Sequence, residues 1–385
     1  MPIARAIQIE NSSIYDAALD INILSYIGQQ IRMPRIAGVT TAVPRHKLEQ
    51  IAVKHFAQNI FGANAERLLP VFDNALIDSR YFVSDMEWFA REHSFTEAND
   101  LFIQASLDLT QQAVVALADR CSISTEDFDV IFFVSTTGLS TPSIDARLFN
   151  RISLNPHIKR IPIWGLGCAG GAGGIARAFD YLKAYPNHRG LVVSVELCSL
   201  AFQINDRRKS NIIATALFGD GAAACLVVGD DVPISENGMS HPSIVGSLST
   251  IYPETLDVMG WRITSSGFEI VLSKDIPTIV TSLVKENVDE LLTTHNVRAG
   301  DVHHYIAHPG GAKVMEAYTE ALDLKNGDLG HSFAVLREYG NMSSTTVFFI
   351  LERYLRKTKQ QSGEYGLVSA LGPGFSSELV LLKWD

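Results

Sequence analysis

Short apolar runs without polar alternation constrain this chain most. They fall at 130–134, 161–164, 191–195, 222–228, 305–307, 367–371 and 379–382. A half-exposed strand alternates polar and apolar residues, so an unbroken run reads as a strand covered on both faces. The covers are legible as helices. Across 275–292 the apolar residues Ile276, Ile279, Leu283, Val284, Val288 and Leu291 share one face. Asp275 stands as N-cap and Pro277 sits in the first turn. The expectation is an α/β chain of helix-covered sheets.

Composition narrows the function classes. With 385 residues, 46% hydrophobic and 19% charged, the chain has a sizeable core and is not disordered. A net charge of −10 argues against a nucleic-acid partner, which needs phosphate neutralisation. Residues 1–30 hold no basic segment followed by an apolar one, and no window reads as roughly 18 uninterrupted apolar residues. A cytoplasmic protein without integral membrane association is expected. The four cysteines, at 121, 168, 198 and 225, form no CxxC pair and read as reduced thiols.

The chain divides into an extension (1–32), a first half (33–235) and a second half (236–385). Three features recur in order at a nearly constant offset: Ser135 against Ala307, Cys168 against Gly340, and Gly190 against Gly366. That spacing suggests a duplicated α/β half, with its seam in the polar loop 229–242.

The segment Gly165-Leu-Gly167-Cys168-Ala-Gly170-Gly171-Ala-Gly173-Gly174 follows a strand and opens a helix. Glycines weaken a helix by about 1 kcal/mol each, and a chain tolerates them where another group must come close. A thiol at a helix start is biased toward the reactive thiolate. Taken alone, a free cysteine is more often a buried structural thiol. Gly165-x-Gly167-x-x-Gly170 also matches a dinucleotide fingerprint, with Glu196 as its ribose-binding acid, but its central position is a cysteine where bare backbone is needed. His308 ends a strand at His308-Pro-Gly-Gly311 and shares strand parity with His304, so a metal pair is conceivable, although no third ligand is apparent. Asn341, in Gly340-Asn-Met-Ser343-Ser344, has the ordinary reading of a helix cap. Cys, His and Asn in that order fit a cysteine protease, or an acyl transferase whose His and Asn hydrogen-bond a thioester oxygen.

Taken together, the Cys168 segment, Leu217-Phe-Gly-Asp-Gly221, the His308 turn, Gly340-Asn-Met-Ser-Ser and Ala370-Leu-Gly-Pro-Gly-Phe-Ser-Ser-Glu378 resemble the type III polyketide synthases, the chalcone synthase-like family. The stretches 140–147 and 160–171 are most similar to the bacterial alkylpyrone synthases. The resemblance implies a thiolase fold of two similar αβαβα halves with mixed five-stranded sheets, in a homodimer. It implies Cys168 as nucleophile with His308 and Asn341 as the oxyanion pair, Phe218 as a gatekeeping aromatic, Gly372, Pro373 and Gly374 as cavity wall, Ser343 and Ala214 as lining, and Thr141 on a loop reaching the partner subunit. Cys198, Ala201 and Ile270 stand where plant members carry other pocket residues, and Trp261 is placed to close a branch of the pocket. Arg67 and Lys313 are the candidates for coenzyme A contacts. No metal and no cofactor beyond coenzyme A thioesters is implied. The expected reaction is decarboxylative condensation of malonyl-CoA onto a medium- or long-chain acyl-CoA, giving alkyl α-pyrones. The alternatives are an alkylresorcinol-forming synthase, or a single-condensation ketoacyl synthase III or hydroxymethylglutaryl-CoA synthase-like enzyme.

Overall fold

A computed structural model describes residues 33–62, 66–235, 238–357 and 360–384, so the extension 1–32 lies outside the described residues. The strands are β1 (Arg35–Ala42), β2 (His46–Glu49), β3 (Ser79–Phe82), β4 (Val130–Val134), β5 (Lys159–Ile163), β6 (Arg189–Leu197) and β7 (Asp220–Val228). They continue with β8 (Ser243–Ile251), β9 (Met259–Thr264), β10 (Gly267–Leu272), β11 (Val302–Ala307), β12 (Tyr365–Gly372) and β13 (Ser376–Lys383).

Nine of them form one mixed sheet in the order β11-β12-β13-β8-β1-β7-β6-β4-β5. The repeat is visible in the pairing. In the first half β4 and β6 are parallel, while β6–β7 and β7–β1 are antiparallel. In the second half β11 and β12 are parallel, while β12–β13 and β13–β8 are antiparallel. Gly190 and Gly366 each occupy the second position of the strand that ends the parallel pair. The halves join where Arg35 pairs with Ser243. The first half contributes five strands and the second four.

Strand parity sorts the side chains into layers. Val130 and Phe132 of β4 face a central core with Ala172 and Ile175 of the Gly170–Ala184 helix and Val347, Phe348 and Ile350 of the Thr346–Lys357 helix. Ile131 and Phe133 face the other way, toward Val114 and Leu117 of the Phe95–Cys121 helix. In the second half Val368 and Ala370 of β12 join the central core, whereas Leu367 and Leu371 face Val284 and Leu291 of the Ile276–Thr294 helix. The result is helix, sheet, two central helices, sheet, helix. Successive residues of a strand point to opposite faces, which is why continuous apolar runs were required.

One expectation changes. The run 161–164 belongs to an edge: β5 is largely exposed and Trp164 is 50% exposed. Pro162 lacks an N–H, which suits a strand with one unpaired side. The Phe95–Cys121 helix is, among the described residues, the one long and apolar enough to cross a bilayer. Half of its apolar window is buried, as the layer covering the first half of the sheet.

The central helices meet closely. A Cβ at Gly171 would stand 2.2 Å from the Ser344 carbonyl oxygen and 2.5 Å from Val347 Cγ2. Gly171→Ala should therefore destabilise the protein by about 1–3 kcal/mol through overpacking. Gly300→Ala, with nothing within 4 Å, should stay within about 0.5 kcal/mol of the parent. Denaturant unfolding of the two variants checks the contrast.

Candidate active site

Three segments deliver Cys168, His308 and Asn341 to one place. Cys168 lies in the Gly167–Ala169 turn that leads into the Gly170–Ala184 helix. Gly167 has φ +50° and Pro373 packs over it, leaving no room for a side chain. His308 follows β11, and its backbone N–H donates to the Ser369 carbonyl at 2.8 Å. Asn341 is strapped to the Phe218 turn, donating to the Leu217 carbonyl at 2.9 Å and accepting from Gly219 N–H at 3.0 Å. The three side chains line a cavity of about 460 Å³, together with Ala214, Phe218, Trp261, Ile270, Ser343 and Pro373.

The polar groups here are unevenly satisfied. Asn341 Oδ1 accepts from Ser343 N–H at 2.8 Å and Nδ2 donates to the Gly310 carbonyl at 3.3 Å. The cap reading of Asn341 is thus partly right, and its second amide N–H is left for the Cys168 sulfur. Neither ring nitrogen of the buried His308 has a hydrogen-bond partner among the described residues. Burial pulls its pKa down to about 4, so the ring is neutral at pH 7. Burial also pushes the Cys168 thiol up to about 11; Ser343 and Asn341 hydrogen bonds oppose this, and the nearby Glu196 carboxyl adds to it. The thiolate bias expected from the helix start is outweighed by desolvation.

Glu196 is fully buried. It accepts hydrogen bonds from Thr136 N–H at 3.0 Å, from Thr137 Oγ1 at 2.9 Å and from Ser344 Oγ. Burial raises its pKa to about 7. A residue held this way cannot reach a ribose, and the dinucleotide reading fails with it. The metal pair fails too, because His304 Nε2 is engaged by Glu364 Oε2 at 2.8 Å.

Other expected positions separate. Arg67 and Lys313 stand at the mouth of the cavity, where Lys209 and Lys274 join them. No motif marks those two lysines; the fold alone brings them there. Cys198 and Ala201 line a smaller inner pocket next to the main cavity. Of the Gly372-Pro373-Gly374 wall, Pro373 faces the cavity. Gly372 is pressed against the Leu166 carbonyl and Ala169, and Gly374 lies beside Ile251. Thr141 is exposed on an outer loop and lines neither the main cavity nor the inner pocket. That loop is held outside by Asn99 Nδ2 donating to the Leu139 carbonyl at 2.8 Å.

Sequence reasoning also missed Arg80, which is completely buried. Its Nη1 donates to the Phe218 carbonyl at 2.9 Å and its Nη2 to Gln50 Oε1. Gln50 in turn donates to the carbonyls of Phe72 and Ala216. This strut ties the cavity mouth to the Phe218 turn. An arginine within the unremarkable stretch 77–82 carries no sequence signal of such a role.

Residues 33–232 match the N-terminal domain of chalcone and stilbene synthases, and residues 243–384 match the C-terminal domain. A putative chalcone synthase of Bacillus subtilis is 43% identical over 363 residues, covering 92% of this chain and 99% of that protein. The 1,3,6,8-tetrahydroxynaphthalene synthase of Streptomyces peucetius is 36% identical, covering 91% and 93%. Among solved structures, the 1,3,6,8-tetrahydroxynaphthalene synthase of Streptomyces coelicolor, a bacterial type III polyketide synthase, superposes with a TM-score of 0.86 at 28% identity, covering 91% of this chain and 99% of that one. The chain belongs to the chalcone and stilbene synthase family. Its class is thus that of the type III polyketide synthases, acyltransferases that extend an acyl-CoA with malonyl-CoA, on the thiolase fold.

The thiol chemistry gives a test. Iodoacetamide labelling of Cys168 should rise about tenfold per pH unit from pH 7 to 10, since the thiolate is the reactive form. Glu196→Gln removes a neighbouring negative charge and should shift that curve to lower pH. Peptide mapping of labelling rates against pH reads both effects.

Proposed function

We propose that this chain condenses malonyl-CoA iteratively onto a medium- or long-chain acyl starter and releases alkyl α-pyrones. The observation carrying the reading is the convergence of Cys168, His308 and Asn341 on one largely apolar cavity with a basic mouth. Arg67, Lys209, Lys274 and Lys313 suit the phosphates of coenzyme A, and Met259, Leu272 and Ile276 suit apolar substrate.

In this reading the Cys168 thiol passes its proton to neutral His308 as sulfur attacks the starter thioester, and coenzyme A leaves. Malonyl-CoA then loses carbon dioxide. The enolate oxygen accepts hydrogen bonds from His308 and from Asn341, its carbon attacks the Cys168 thioester, the Cys168 sulfur leaves as thiolate, and the extended chain, now on coenzyme A, returns to Cys168 for the next round. The electron pair released by carbon dioxide forms the new bond, so the chemistry calls for no metal or redox cofactor.

Closure to a pyrone needs an enol oxygen to attack the thioester carbon. Aldol closure to a resorcinol needs a polar network beside the thioester. Glu196 with Thr137 and Ser344 is one, and it favours resorcinols as the second reading.

A second copy of the chain is also proposed. Among the described residues strand β5 has one unpaired side, and Trp164, Leu139 and Phe149 are 50%, 39% and 43% exposed. Such an edge with apolar neighbours favours pairing, and the exposed Thr141 loop lies on that face.

Three outcomes are expected. With acyl-CoAs and malonyl-CoA, mass spectrometry should show triketide and tetraketide alkyl pyrones, and none from Cys168→Ala. Asn341→Ala should lose malonyl-CoA decarboxylation by about 10²–10³, the usual cost of one oxyanion donor. Aromatic or two-carbon starters as the preferred substrates, or decarboxylation near the parent rate, would overturn the assignment. Sedimentation at micromolar concentration should show a dimer, and Trp164→Glu should shift it toward monomer.

A further inference from the structure

We propose that Phe202, backed by Phe89, is the stopper that sets how long a starter's alkyl tail can be. The inference rests on the acyl-starter reading above and names a length-determining position within it.

Three spaces lie in a row. The cavity of about 460 Å³ that holds Cys168 has Ala214, Phe218, Trp261 and Ile270 in its wall. The same four residues form one side of an inner pocket with about 30 Å³ of free room. The rest of that pocket is mostly apolar, with Val53, Phe56, Phe82 and Met86 among its walls beside Ser199, Asn211 and Thr215. On its far side Phe89 and Phe202 are shared with an outer space of about 260 Å³. The outer space is mixed: Trp88, Leu200 and Ile204 line it together with the charged Arg91, Glu92, Asp206 and Glu269. Arg208 holds Asp206 at 2.7 Å and Glu269 at 2.9 Å there.

Phe202 is braced as a stopper must be. Its ring centroid lies 5.8 Å from Phe56, 6.1 Å from Phe61 and 6.3 Å from Phe89. Its backbone N–H donates to the Ser199 carbonyl at 3.1 Å, closing the Cys198–Ala201 turn. Aromatic neighbours on three sides hold the ring in one orientation.

The free room of the inner pocket, about 30 Å³, holds only one or two water-sized groups. A tail that passes Trp261 and Ile270 therefore meets the Phe202 ring within a carbon or two. Beyond the ring it would exchange apolar walls for the Arg208 ion pairs. It would then lose the roughly fourfold gain in binding that each buried methylene brings. Phe202 thus ends the tail site by bulk, and the charged groups of the space behind it end the site by desolvation.

The test is kcat/KM across a series of straight-chain acyl-CoAs with malonyl-CoA, for the parent protein, Phe202→Ala and Phe202→Leu. Decarboxylation of malonyl-CoA without a starter reports that the Cys168 site is intact. The parent should fall steeply beyond one chain length. Phe202→Ala should move that ceiling by at least about two carbons and raise kcat/KM for the newly admitted starters by about tenfold or more, at about fourfold per methylene. Phe202→Leu should shift it less, and it carries the test should the alanine variant not fold. An unchanged ceiling in a variant with intact decarboxylation overturns the stopper alone. A parent protein that decarboxylates malonyl-CoA but uses no straight-chain starter of any length overturns the starter reading and the stopper with it.

Discussion

The arrangement depends on the close approach of the two central helices. Gly170 faces Val134 and Ser344, and Gly171 faces the Ser344 carbonyl and Val347, with no space at either for a methyl group. Interiors packed at crystal density leave little slack for such a crossing to slide. The crossing fixes the turn that carries Cys168 relative to the turn that carries Asn341. A register error of one residue in either helix would insert a side chain into the other's backbone. The duplication places a helix start at the same point of each half, and the halves face each other through these helices.

Around that crossing the protein buries polar groups that a simpler core would exclude. Glu196 has three hydrogen-bond donors, and Asp220 accepts from Ser199 and Val83 N–H. Arg80 holds the Phe218 carbonyl while Gln50 bridges Phe72 and Ala216. An unsatisfied buried polar group costs about 1–3 kcal/mol, so such networks tolerate few arrangements. They fix the backbone of the Phe218 turn, and through it Asn341. His308 is the contrast: buried, neutral and without a partner at either ring nitrogen among the described residues, it is the group most ready to bond a ligand.

The electrostatics follow from the same burial. A desolvated thiol and a desolvated imidazole both prefer their neutral forms. The site therefore rests as a thiol and a neutral ring, with pKa values pushed to about 11 and down to about 4. Nearby Glu196 reinforces that preference, since its charge opposes a second negative charge on sulfur.

The covered strands, the duplication and the three residues Cys168, His308 and Asn341 were legible in the chain itself. Their signals are local: apolar runs, glycines that only close contact can justify, and polar residues at strand and helix ends. Local chemistry also misled. A helix start suggested a thiolate at Cys168, but a thiol's pKa answers to everything packed around it. The run 161–164 looked doubly covered, though its neighbours on one side are decided by strand order. Only the tertiary structure brought Lys209 and Lys274 to the mouth beside Arg67, buried Arg80 beneath Phe218, and set Phe202 between a mostly apolar pocket and a more charged one. Those placements join residues far apart in the chain, and no local propensity encodes a distance across the fold.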